Sequence, residues 1–149
     1  MKFKMKAINY FSEVIDFDLK NQSVIKKWIN HVVENEKKEI ETINYIFCND
    51  EYLHNLNVDY LKHDTLTDII TFDYSTDNTI SGDIFISIER VKENAVLFEK
   101  SFDDELNRVI VHGILHLIGY NDKSPEDKVV MTEKEDFYLM FHVKHQKTT

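Results

Sequence analysis

The chain has 149 residues, with 18 basic and 27 acidic side chains and a formal charge of −9 with neutral histidines. That length suits one compact domain, and 42% apolar content with ten Phe and seven Tyr excludes a disordered acidic chain. The acid excess argues against a protein that coats nucleic acid through its overall field, because such binding neutralises phosphates with Lys and Arg. A local basic surface stays open.

From Met1 to Ala7, Lys2, Lys4 and Lys6 interleave with apolar residues, and no uninterrupted apolar run of the secretory type occurs. Ile8 to Phe11 is a weak first strand. Between Val24 and Val33, Ile25, Trp28, Ile29, Val32 and Val33 fall at helical spacing, with Lys26 and Lys27 on the other face. His31 on this helix reads as core or boundary packing. Ile43, Tyr45 and Phe47 alternate with Asn44, Ile46 and Cys48, as in a strand. Cys48 is the chain's one cysteine, which excludes an intrachain disulfide and a thiolate-only zinc site and points to a reducing, cytoplasmic setting. At the strand's end it reads as a small apolar packing residue.

Asn49 or Asp50 can cap a short helix carrying Tyr52, Leu53, His54 and Leu56. Asp68 to Tyr74 is β-branched and aromatic, and Ile80 to Ile88 shares that bias beyond a polar break, so the two predict a hairpin. Helices follow: one over about Ser87 to Glu99, and one from Asp103 or Asp104 to about Ile118, acidic at its positive N-terminal end and stopped by Gly119. Ser124-Pro125-Glu126-Asp127 starts a C-terminal helix, with an N-cap, Pro at the first position and acids in the first turn. It leads into a basic tail with His142 and His145, read as a solvated terminus. The expected fold is α+β: a single compact domain, one small mixed sheet with about five helices, and a central buried helix.

That central helix is apolar on nearly every side, from Val109 to Ile118, and so belongs in the interior. At twelve residues, Val109 to Tyr120 is too short to span a bilayer, and no membrane contact is expected. His112 and His116 sit in it four residues apart, which stacks both imidazoles on one face. Two buried neighbouring histidines need partners, and a divalent metal satisfies both; a pair satisfied within the core is the plainer alternative. Gly113 inside a helix costs about 1 kcal/mol against Ala, which points to close packing. Gly119-Tyr120-Asn121-Asp122 turns the chain straight after the helix and returns a carboxylate towards the pair. Three protein ligands with an open fourth position define a catalytic rather than a structural zinc site. The glutamate that follows the first histidine in metalloprotease helices is absent; Gly113 stands there, which speaks against peptidase chemistry.

His112-Gly113-Ile114-Leu115-His116-Leu117-Ile118-Gly119-Tyr120 resembles the His-Gly-x-Leu-His-Leu-x-Gly-Tyr signature of the YbeY endoribonucleases, also called ribosomal RNA maturation factors. Leu56-Asn57, Thr67-Asp68-Ile69-Ile70-Thr71-Phe72 and Gly82-Asp83-Ile84 resemble further family blocks, and Met131 and Glu135 sit where the family often has Met and Glu. The likeness spans roughly Leu56 to Glu135. Two positions depart from it. Asp122 stands where the family's third histidine ligand falls, and Leu61 where the family has an arginine, with Lys62 beside it.

The resemblance implies a single zinc-dependent endoribonuclease-like domain over residues 1–149, cleaving single-stranded RNA in ribosomal RNA 3′-end maturation and ribosome quality control. It implies one Zn²⁺ per chain, held by His112, His116 and Asp122, with ribosomal RNA as partner and the ribosome or small-subunit assembly proteins beside it. Lys62 is the one candidate for a catalytic role, and Lys62, His63 and Thr67 are candidates for substrate contact. The alternative is a ribosome-associated assembly factor with a structural metal and little or no cleavage.

Overall fold

A computed structural model describes residues 7–61 and 67–147. In chain order the elements are β1 (Ala7–Ser12), α1 (Gln22–Asn35), β2 (Glu39–Cys48), α2 (Asp50–Leu61), β3 (Ile69–Asp73), β4 (Thr79–Ser87), α3 (Ile88–Leu97), α4 (Phe102–Ile118) and α5 (Pro125–Lys147). The four strands form one mixed sheet in the order β1-β2-β4-β3. β1 and β2 are parallel, as are β2 and β4, while β3 and β4 form the antiparallel hairpin expected from the sequence. Parallel neighbours require a crossover, and α1 supplies the one between β1 and β2.

Strand alternation divides the apolar residues between two faces. Ile43, Tyr45, Phe47, Ile84 and Ile86 point into the main core with α1 and α4, while Cys48 and Ile70 point the other way, against Leu53 of α2. Cys48 packs as expected: it is fully buried, its Sγ–H donates to the Ile86 carbonyl at 3.5 Å, and burial above all pushes its thiol up to about 12. It is no nucleophile.

Each terminus of the central helix forms for a local reason. Ser101 caps α4, its hydroxyl accepting the Asp104 N–H at 3.0 Å. At the other end Gly119 sits at φ 125° and donates its N–H to the carbonyls of Leu115 and His116, a conformation that favours glycine. Gly113 lets α4 lie against the sheet. A Cβ there would come within 2.9 Å of Ile84 Cγ2 and 3.1 Å of Ile69 Cδ1. Ser124 and Asp127 cap α5 reciprocally: the Ser124 hydroxyl accepts the Asp127 N–H at 3.0 Å, and Asp127 accepts the Ser124 N–H at 3.4 Å.

The expected solvated tail is corrected here. α5 runs on to Lys147, and His142 is buried with its ring stacked on Trp28, centroids 4.2 Å apart. The reason is tertiary: α5 lies across α1, and Trp28 donates its indole N–H to the Tyr138 carbonyl at 2.9 Å. His31, read as core or boundary packing, is instead exposed, its ring lying 4.6 Å from that of Phe141 on the outer side of the same helix pair. No described helix is long and apolar enough to cross a membrane.

Candidate metal centre

The helical spacing of His112 and His116 places their ring centroids 4.5 Å apart, nearly perpendicular. The Gly119 turn then brings back Asp122, whose Oδ2 lies 3.4 Å from His112 Nε2 and 3.5 Å from His116 Nε2. One ligand atom from each of the three lies within 4.8 Å of the others, so the group could hold a metal ion. This is the triad expected from the sequence.

The donor set fits a metal because the opposite ring nitrogens are already engaged. His112 Nδ1 meets Glu135 Oε2 at 2.6 Å, and His116 Nδ1 meets the Tyr120 carbonyl at 3.0 Å. The Glu135 carboxylate and the Tyr120 carbonyl accept, so each Nδ1 carries a proton, and when the rings are neutral each Nε2 is left with the lone pair a metal takes. Two imidazoles and a carboxylate are a ligand set zinc accepts.

Electrostatics separate the two rings. Burial draws the His112 pKa down, but the hydrogen bond to Glu135 and the charges of Glu135, Asp122 and Asp68 outweigh it and leave the value raised. For His116, burial and the neighbouring His112 prevail, and its value is lowered.

The three residues open into a cleft of about 900 Å³ between α4, the end of α2 and strand β3. Its described lining carries five acids, Asp68, Asp73, Glu105, Asp122 and Glu135, against Arg108 and Lys123. Arg108 is committed to its own anions: Nη1 donates to Glu135 at 2.6 Å and Nη2 to Asp136 at 2.7 Å. Burial raises the Asp68 and Glu105 carboxyls, and each is raised further by an acidic neighbour.

Of the candidates for substrate contact, Thr67 lines the cleft, with its hydroxyl bonded to the Ile69 backbone. Leu61 lines it too. Lys62 and His63 lie outside the described residues. The sequence reading placed Glu135 only by family likeness and missed Arg108. A signal existed for the first. Glu135 falls on the buried stripe of α5 with Met131, Tyr138 and His142, and a carboxylate on an apolar stripe needs a partner.

The endoribonuclease YbeY family model matches residues 7–142. Proteins named endoribonuclease YbeY are similar along nearly their whole length. The one from Flavobacterium johnsoniae is 54% identical over 134 residues, 89% of this chain and 96% of the relative. The one from Karelsulcia muelleri is 52% identical, covering 90% and 94%. The solution structure of a Thermotoga maritima protein superposes with a TM-score of 0.67 at 26% identity, covering 95% of this chain and 92% of that one. The chain belongs to the YbeY family of endoribonucleases, hydrolases that cut RNA.

Proposed function

We propose that this endoribonuclease is zinc-dependent and selective for single strands, and that it acts in the cytoplasm on ribosomal RNA, in 3′-end maturation and ribosome quality control. The metal would be held by His112, His116 and Asp122. The observation that carries this is the convergence of two imidazole Nε2 atoms on one carboxylate oxygen, each ring locked from behind through Nδ1. A zinc ion there supplies Lewis acidity, polarising a phosphoryl oxygen or lowering the pKa of water.

The chain's own residues do the rest. Glu135 and the Tyr120 carbonyl hold the two imidazoles in one tautomer and orientation. Lys123 at the cleft, with the sequence candidates Lys62 and His63, would meet phosphate, because Arg108 is spent on Glu135 and Asp136. Contact with RNA is then local, and the overall charge of −9 disfavours tight binding of naked RNA. That combination suits recruitment by the ribosome or by small-subunit assembly proteins.

The test is cleavage of single-stranded ribosomal RNA by wild type and by the His112→Ala/His116→Ala variant, with elemental analysis of both. Wild type is expected to carry about one zinc per chain, one triad being available among the described residues, and to cut; the variant should do neither. Metal-free active wild type, or equal rates in the two proteins, would overturn the proposal.

A further inference from the structure

Strand β3 is the outer strand of the sheet on the side of the cleft. It pairs with β4 in the register Ile69↔Ile86 through Asp73↔Gly82. The Ser87 N–H donates to the Asp68 carbonyl at 3.0 Å and the Tyr74 N–H to the Ser81 carbonyl at 2.8 Å, so the hydrogen-bonded positions are 68, 70, 72 and 74. The odd positions, Ile69, Thr71 and Asp73, turn their backbone groups away from β4, onto the free edge.

At Ile69 that edge is already occupied. The Thr67 hydroxyl donates to the Ile69 carbonyl at 3.1 Å and accepts the Ile69 N–H at 3.5 Å. At Asp73 the strand ends in a turn, its carboxylate accepting the Ser75 N–H at 2.9 Å. Thr71 remains between them. It lines the same cleft as His112, His116 and Asp122, and its outward N–H and C=O have no partner among the described residues.

A free edge ordinarily invites a further β-strand. Such a strand needs outward groups at alternate residues, and Thr67 has taken those of Ile69. One donor and one acceptor side by side match a smaller object: the Watson–Crick edge of a single nucleobase, which presents an acceptor next to a donor. Leu61, 41% exposed in the same cleft, adds apolar surface suited to a base face.

We propose that the free edge of β3 at Thr71 is a subsite that takes one unpaired nucleobase of the substrate strand, its N–H donating to the base and its C=O accepting from it. All four bases can satisfy that pair, so the subsite reads whether a base is unpaired and not which base it is. A nucleotide in a duplex has that edge occupied. The subsite therefore makes the cleft selective for single strands, and the inference rests on the reading of the chain as a single-strand nuclease.

The experiment scans a cleavable single-stranded oligoribonucleotide with one abasic nucleotide at successive positions, using zinc-loaded wild type, Thr71→Pro and Thr71→Val. Proline removes the outward N–H and is tolerated on a strand edge; valine keeps both backbone groups. For wild type and Thr71→Val, one position near the scissile bond should lower cleavage by about tenfold, the effect of two neutral hydrogen bonds. Thr71→Pro should cut the intact strand correspondingly more slowly and be indifferent to the abasic site, with unchanged metal content. Wild type indifferent at every position, or Thr71→Pro as sensitive as wild type, would overturn the subsite while leaving the nuclease reading intact. Wild type that cuts no single strand would overturn both. Should Thr71→Pro not fold, the wild-type scan decides alone.

Discussion

His112 and His116 stand one turn apart on the same helix and face the same carboxylate, yet the protein holds them by different means. His112 is gripped by a side chain, Glu135, which is itself held by Arg108. His116 is gripped by a backbone carbonyl in the turn that ends the helix. The first holder carries a full charge and reaches across from α5. The second is neutral and travels with the chain. Their titration follows: burial opposes protonation of both, but only His112 has anions enough to reverse it. Two imidazoles can therefore enter one site with unequal basicity, and one substitution retunes the first while the second is anchored by the fold.

The largest effects test what the two histidines share. Asp122→Ala and His116→Ala should each abolish measurable zinc while leaving the fold intact, since the Asp122 side chain is 42% exposed and neither sits at the centre of the apolar core. Metal analysis with circular dichroism is the check. Wild-type zinc content in either variant would place the third or second ligand elsewhere. Glu135→Gln tests what the histidines do not share. The amide keeps the shape but loses the charge, so metal affinity should fall by about 10–100-fold in a competition titration with a chelator. A loss of less than twofold would make the two holders equivalent and the contrast void.

Much of this contrast was legible in sequence, and the boundary is physical. The i, i+4 histidines, the helix stop at Gly119 and the returning carboxylate are all local, so spacing alone brought His112, His116 and Asp122 together. Gly113 announced a close approach, and Ile84 and Ile69 supply it. The holder of His116 was also within reach, being four residues on. The holder of His112 was not, since Glu135 lies 23 residues away on another helix. Arg108 sat one turn before His112 in plain view, but its partners are Glu135 and Asp136 on α5. His142 failed for the same reason. Its basic neighbours read as a tail, and only the packing of α5 on Trp28 buries it. The free edge at Thr71 depends on sheet order, which local patterning does not encode.

The smallest effects probe how firmly the turn behind His116 is fixed. Glu36, just after α1, accepts hydrogen bonds from the Tyr120 hydroxyl at 2.5 Å, from Lys134 at 3.2 Å and from the Tyr138 hydroxyl. Burial alone would raise the Glu36 carboxyl, but these donors and the Lys134 charge outweigh it and leave the value lowered. A lowered folded value means the ionised carboxylate stabilises the fold. That contribution is complete above the carboxyl's value in the unfolded chain and disappears as pH falls through the folded one. Tyr120→Phe removes one donor and should cost about 1–3 kcal/mol near neutral pH. The gap in melting temperature between wild type and variant should then narrow on acidification, as Glu36 is protonated in both. Zinc affinity should stay near the wild-type value, because the carbonyl that holds His116 belongs to the backbone and survives the substitution. A Tyr120→Phe variant that lost metal as steeply as Glu135→Gln would show that the turn is held by the Tyr120 hydroxyl, and the two histidines would then depend on side chains alike.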